Sequence, residues 1–249
     1  MLRFLALAAM LASPIGARAD ESEWRAPFIT TPDEVVLRML ELAGTGPDDL
    51  VVDLGSGDGR IVIAAAMAFG ARGLGIELDE KLVRASRDKA RAARVEERVR
   101  FVHGDVLTAD ISAASVVTVY LLPELIGKLQ LRFIEDLKPG TRIVSHAFRM
   151  AGWRPDRAET MRVTGPHRGQ GDESTIYLWI VPADVRGLWE AGGKRIRIEQ
   201  NYQELDVEGA TRAGIAGRDI WWDTPQGRFN GRVEGARIVG ERLVYTRVR

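Results

Sequence analysis

The chain has 249 residues, 45% hydrophobic and 28% charged, which excludes a disordered or fibrous polymer and fits one or two globular domains. Lysine plus arginine total 35 and aspartate plus glutamate total 35, so no overall field favours nucleic acid or an anionic membrane as partner. Cysteine is absent, which excludes disulfides and a lipidated cysteine anchor but leaves the compartment open.

Residues 1–19 have a texture of their own: Arg3, an apolar run from Phe4 to Leu11, then Ala17-Arg18-Ala19 ahead of Asp20. This predicts a cleaved secretory signal and a periplasmic or secreted protein. The run is shorter than the roughly 20 residues a membrane helix needs, and an uncleaved anchor stands as the alternative.

After a polar linker, Thr31-Pro32-Asp33-Glu34 supplies a capping hydroxyl, a proline for the first helical position and a carboxylate three residues past the cap. The predicted helix carries Val35, Val36, Met39, Leu40 and Leu42 on one face and stops at Gly44 to Pro47. Leu50 to Leu54 then reads as a strand, Gly55-Ser56-Gly57-Asp58-Gly59-Arg60 as a tight loop, and Ile61 to Phe69 as a helix. Glycines let such a loop turn sharply and bring backbone N–H groups at a helix start against a ligand. Dinucleotide enzymes also place a glycine turn here, but their G-x-G-x-x-G spacing differs from glycines at 55, 57 and 59. With Asp53 at the strand end, D-x-G-x-G-x-G resembles motif I of S-adenosylmethionine methyltransferases.

Arg72 to Leu78 is a second strand with Glu77 near its end, where an acid can accept both ribose hydroxyls. A third, Val99 to Val102, runs into His103-Gly104-Asp105, where the methyltransferase fold places an acid against the adenine amino group. Ser115 to Val119 is the fourth strand. It leads through Tyr120-Leu121-Leu122-Pro123-Glu124, the methyl-transfer position of that fold, into a helix from Pro123 to Leu137. Arg142 to Ala147, Glu159 to Val163 and Thr175 to Val181 complete seven mostly parallel strands with a final hairpin. The histidines, His103, His146 and His167, show no metal-ligand spacing, so no metal is expected; His146 reads as a strand-end residue with a structural hydrogen bond, with a place facing the cleft beside Ser145 as the alternative, and His167 as part of a polar loop.

Beyond Pro182 come short alternating segments: Lys194 to Glu199, Tyr202 to Val207, Arg218 to Trp222, Arg228 to Val233 and Arg242 to Tyr245. Val207-Glu208-Gly209-Ala210 recurs as Val233-Glu234-Gly235-Ala236, predicting a repeated hairpin in a meander or small barrel, with Trp189, Trp221 and Trp222 in its core and rim. The predicted class is therefore α/β: a Rossmann-like class I methyltransferase doubly wound sheet over 20–182, then a small antiparallel β domain over 183–249.

Thr31-Pro32 with Val35-Val36, the string Val52 to Val62, Gly75-Ile76-Glu77, Tyr120 to Glu124 and Gly152-Trp153-Arg154-Pro155 together resemble one group. It comprises the seven-strand lysine methyltransferases acting on the mitochondrial ADP/ATP carrier and on the c-ring protein of ATP synthase, with their bacterial relatives. The mitochondrial members carry an uncleaved hydrophobic segment where this chain has the apparent signal, and they lack its tail. The resemblance implies S-adenosyl-L-methionine as coenzyme, held by Asp53, Gly55, Ser56, Gly57, Gly59, Glu77 and Asp105. It also implies a lysine acceptor on a protein, with membrane proteins among the candidates, and Tyr120, Pro123 and Glu124 lining the acceptor channel. Pro123 and Glu124 have a plainer reading as a favourable helix start. An exported binding module that kept the fold without methyl transfer, and a methyltransferase for small molecules or lipids, are the alternatives.

Overall fold

A computed structural model describes residues 29–167 and 171–248; the predicted signal at 1–19 lies outside them. The first body alternates helices and strands: α1 (Asp33–Leu42), β1 (Leu50–Leu54), α2 (Arg60–Phe69), β2 (Arg72–Glu77), α3 (Glu80–Ala92), β3 (Val99–His103), β4 (Val116–Val119), α4 (Pro123–Asp136), β5 (Arg142–His146), β6 (Arg157–His167) and β7 (Gly171–Ile180). They build one seven-stranded sheet in the order β3-β2-β1-β4-β5-β7-β6. The first five strands run parallel, and β7 pairs antiparallel with both β5 and β6. Strand order reverses between β1 and β4, so the carboxyl ends of these strands open a crevice of the kind in which α/β proteins bind ligands.

Both faces of the sheet are covered, which is why its strands read as nearly continuous apolar runs. Alternation in β1 sends Val51 to the core under α1 and α2, with Met39, Val62 and Phe101. Val52 and Leu54 go to the opposite core, with Ile126, Phe133, Trp153 and Trp179. Glycines in the left-handed region bracket α2, Gly59 at φ 80° and Gly70 at φ 67°.

Two local expectations fail. Thr31 does not cap α1: Pro32 is the N-cap residue without a side-chain cap bond, and the Thr31 hydroxyl is buried against His146. Glu34, expected to complete the capping box, instead accepts from the backbone N–H of Thr164. His167 is not in a loop, because β6 extends to it and pairs it with Gly171.

The tail forms β8 (Gly187–Ala191), β9 (Lys194–Asn201), β10 (Glu204–Val207), β11 (Arg212–Ala216), β12 (Asp219–Thr224), β13 (Gly227–Glu234), β14 (Arg237–Gly240) and β15 (Val244–Arg247). These close into an antiparallel barrel whose ends meet where β15 pairs with β8. Trp189 and Trp222 lie in its core with Ile198, Val207, Ile220, Val233 and Ile238, and half-buried Trp221 sits at the rim under the Arg228 guanidinium. The two Val-Glu-Gly-Ala copies occupy equivalent places, each valine at or beside a strand end and each glycine turning with positive φ. Strands β8, β11 and β14 had no counterpart in the sequence reading, and β10 begins later than expected because Tyr202 and Gln203 form the turn before it.

That turn docks the barrel on the sheet domain. Tyr202 stacks on Trp153 at 4.8 Å and 6°, and its hydroxyl accepts a 2.8 Å bond from Gln130 Nε2 of α4. At a second contact Gly217 packs so closely on Gly140 that a Cβ at 217 would lie 3.0 Å from the Gly140 Cα.

Candidate functional site

The loop after β1 is built from backbone bonds before any side chain contributes. Gly55 N–H and Ser56 N–H both donate to the Ile76 carbonyl of β2, at 2.9 and 3.0 Å. Gly55, Gly57 and Gly59 have φ of 77°, 52° and 80°, values that L side chains rarely adopt. Close packing reinforces the choice, since a Cβ on Gly55 would meet Leu121 at 2.8 Å and one on Gly59 would meet Phe101 at 2.7 Å.

Three carboxylates stand at the carboxyl ends of adjacent strands. Glu77 is half-buried and braces the loop, one oxygen accepting from Gly57 N–H at 2.8 Å and the other from Asp79 N–H at 2.9 Å. Asp105 is exposed beyond β3 and accepts from Leu107 N–H at 2.8 Å. Asp53 is buried at the end of β1 and accepts a 2.7 Å bond from the Thr118 hydroxyl of β4. Burial raises the Asp53 carboxyl to about 7; the Thr118 bond opposes that rise, and the nearby charges of Glu77 and Asp58 add to it. Ser56 is buried as well, and its hydroxyl has no hydrogen-bond partner among the described residues.

Asp58, inside the same loop, has a different task. Burial opposes its ionisation, but hydrogen bonds from Arg60 and Lys89 outweigh burial and hold it at about 2. Its oxygens lie 2.7 Å from Arg60 Nη2 and 2.6 Å from Lys89 Nζ, which fastens the loop to α2 and α3.

At the end of β4, half-buried Tyr120 packs on His146, with ring centroids 4.2 Å apart, and stacks with Phe148 at 6.2 Å. Pro123 and Glu124 occupy the exposed first turn of α4. His146 is fully buried, with Nδ1 3.2 Å from the Thr31 hydroxyl and Nε2 3.1 Å from the Ser174 hydroxyl. The expected structural hydrogen bond is therefore present twice. The contact with Tyr120 was not read from the sequence, nor was the Thr118 bond to Asp53; both join residues distant along the chain. His103 bonds the Leu78 carbonyl at 2.8 Å.

The described residues contain no group of three metal-ligating side chains. Among them no helix is long and apolar enough to cross a membrane. Two concavities of about 450 Å³ lie elsewhere, one beside β3 and α3, the other between Pro139 to Arg142 and the barrel, and neither includes the glycine loop or Tyr120.

A family model described as the ANTKMT methyltransferase domain matches residues 53–157. The chain is 38% identical over 156 residues to a protein-lysine N-methyltransferase of Saccharolobus islandicus, covering 62% of this chain and 93% of that one. It is 36% identical over 130 residues to a Xenopus laevis lysine N-methyltransferase named for the C subunit of ATP synthase, spanning 52% of this chain but only 55% of the relative. A crystal structure from Salinibacter ruber, described as an RNA methyltransferase in complex with S-adenosyl-L-homocysteine, superposes with a TM-score of 0.57 and 48% identity over 63% of this chain and 96% of that one.

Proposed function

The chain belongs to the family of S-adenosylmethionine-dependent methyltransferases that includes the protein-lysine N-methyltransferases, and from that premise we propose that it methylates the ε-amine of a lysine on a protein. The observation that carries the reading is the row of Asp53, Glu77 and Asp105 at the strand ends beside a glycine loop. The coenzyme offers hydrogen-bond donors at its two ribose hydroxyls, adenine amine and ammonium, and a net positive charge, so a site of carboxylate acceptors fits it. Glu77 would take the ribose and Asp105 the adenine amine. Asp53 would supply negative charge beneath the loop of Gly55, Ser56, Gly57 and Gly59.

When bound, the coenzyme supplies an electrophilic methyl on a sulfonium. The protein's own task is alignment, which can be worth several kcal/mol of a barrier (about 7–11 at the extreme). Tyr120, Pro123 and Glu124 would line the approach of the acceptor. An aromatic, partly desolvated approach favours the neutral amine over its ammonium form, lowering a lysine pKa from its usual value of about 10.4. Glu124, exposed on the first turn of α4, would attract the lysine before its proton is lost to solvent.

A membrane protein is the preferred acceptor, supported by the ATP synthase component named for the Xenopus relative. RNA is the second reading, supported by the description of the Salinibacter relative. An exported location belongs to the proposal too, resting on Arg3, the Phe4 to Leu11 run and Ala17-Arg18-Ala19; fractionation of cells expressing the full chain tests it. The decisive experiment incubates the protein with methyl-labelled S-adenosylmethionine and a membrane extract, then separates protein, RNA and lipid. Label recovered as methyl-lysine supports the reading, and label confined to RNA or lipid replaces it.

A further inference from the structure

His146 is a buried titratable ring that the proposed chemistry leaves without a task. Its side chain is 0% exposed, and burying an imidazole is costly unless both nitrogens find partners. Both do, from two remote elements: Thr31 ahead of α1 and Ser174 in β7. Hydroxyls can donate or accept, so the pair satisfies a neutral ring in either tautomer. An aliphatic residue such as the neighbouring Val144 would fill the space with no such requirement. What the two hydroxyls add is a fixed ring orientation.

That orientation meets Tyr120. The His146 and Tyr120 centroids are 4.2 Å apart, and Phe148 stacks with Tyr120 at 6.2 Å and 21°. Between His146 and Phe148, Ala147 has φ 69°, and Phe148 N–H donates to the His146 carbonyl at 2.9 Å. This is a γ-turn of the rare strained kind. The Ser145 hydroxyl reinforces it with a 2.7 Å bond to the Phe148 carbonyl. Thr31 reaches the other way as well: its carbonyl accepts a 2.9 Å bond from Arg60, the first residue of α2 after the glycine loop. A continuous chain of contacts, Arg60 to Thr31 to His146 to Tyr120, thus joins the start of α2 to the residue that follows β4.

We propose that His146 is a positioning residue for methyl transfer, setting the plane of Tyr120 and tying it through Thr31 to the helix that follows the glycine loop. The inference rests on the acceptor role proposed above for Tyr120. Thr31→Val keeps the shape of the side chain and the backbone bond to Arg60 but removes the hydroxyl that orients the imidazole. With the labelled membrane extract at saturating S-adenosylmethionine, Thr31→Val is expected to transfer methyl about tenfold more slowly, while coenzyme affinity stays within about twofold. Thr31→Ser, which restores the hydroxyl, should recover most of the rate. In a Tyr120→Leu background the Thr31→Val change should cost less than about twofold.

Wild-type rates in Thr31→Val, or the same fractional loss with and without Tyr120, would overturn the proposal. If the wild-type protein labels nothing in the extract, the functional reading has failed instead, and NMR of ring-labelled tyrosine decides the geometry. Of the four tyrosine signals, that of Tyr120 should then move in Thr31→Val and stay in place in Thr31→Ser. An unmoved signal overturns the proposal.

Discussion

The hydroxyl of Thr118 donates a 2.7 Å hydrogen bond to the carboxylate of Asp53 across the β1–β4 junction, joining the two strands between which the sheet reverses its order. The bond partly offsets a burial that brings Asp53 to about 7. Half of these carboxyls are therefore protonated near neutral pH, at the point where a cationic coenzyme is proposed to bind.

Coenzyme affinity should consequently rise with pH. Between the ordinary carboxylate range and about 7, the folded chain holds a proton on Asp53 that the unfolded chain has lost. This group therefore makes the free protein less stable as pH rises through that window. A positively charged ligand favours the ionised form, so S-adenosylmethionine should bind more tightly at pH 8 than at pH 6 and expel a proton at the lower pH. Calorimetric titration in buffers of different ionisation enthalpy measures that proton, and Asp53→Asn should abolish both effects.

Glu77→Ala should weaken coenzyme binding by about 1.5–3 kcal/mol, the loss of a charged acceptor. It should also lower thermal stability, because Gly57 N–H and Asp79 N–H lose their partner. Glu77→Gln keeps one acceptor oxygen, so it should restore part of the stability and little of the affinity. Melting curves and titrations on the two variants separate these roles; equal coenzyme affinity in Glu77→Ala and wild type would remove Glu77 from the ribose.

The strained turn beside Tyr120 gives a third prediction. A left-handed alanine is disfavoured by roughly 1–2 kcal/mol, while glycine carries an entropic cost of roughly 0.5–1 kcal/mol. Ala147→Gly should therefore stabilise the fold by up to about 1.5 kcal/mol in denaturant unfolding. If Phe148 needs the rigid turn to stay against Tyr120, the same variant should lose methyl transfer. Ala147→Val should cost about 2 kcal/mol or more.

Legibility followed distance along the chain. The strand, glycine loop and helix from Leu50 to Phe69 could be read because every interaction that defines the order is local, and each acid at a strand end follows its own apolar run. The fate of Thr31 could not, because the hydroxyl that looked like a helix cap is claimed by a histidine 115 residues away. Strand β11 was hidden by its composition: Arg-Ala-Gly-Ile-Ala has weak strand character, and Gly214 is covered by the Trp221 ring of the adjacent strand, 3.1 Å from where a Cβ would lie. Closure of the barrel depends on Thr246 and Arg247 finding Glu190 and Trp189 at the far end of the tail, a pairing that no local pattern encodes.

The docking turn supplies the last prediction. Tyr202 has φ 54° at the first central position of a two-residue hairpin turn, where glycine is the ordinary choice. The ring explains its retention, since it stacks on Trp153 and receives the Gln130 bond. Tyr202→Phe should cost about 1 kcal/mol, because Gln130 keeps its 2.9 Å bond to the Ala151 carbonyl. Tyr202→Ala removes the stack and retains the backbone strain, so a loss of about 2–4 kcal/mol is expected. Tyr202→Gly removes the same ring but releases the strain, and should be more stable than Tyr202→Ala by about 1 kcal/mol. Calorimetric melting of the full chain tests both points. If Tyr202 holds the barrel to the sheet domain, the Ala and Gly variants should split one transition into two, whereas a single transition in every variant would show that the remaining contacts, Gly217 on Gly140 and Arg154 with Gln203 and Glu204 among them, suffice to couple them.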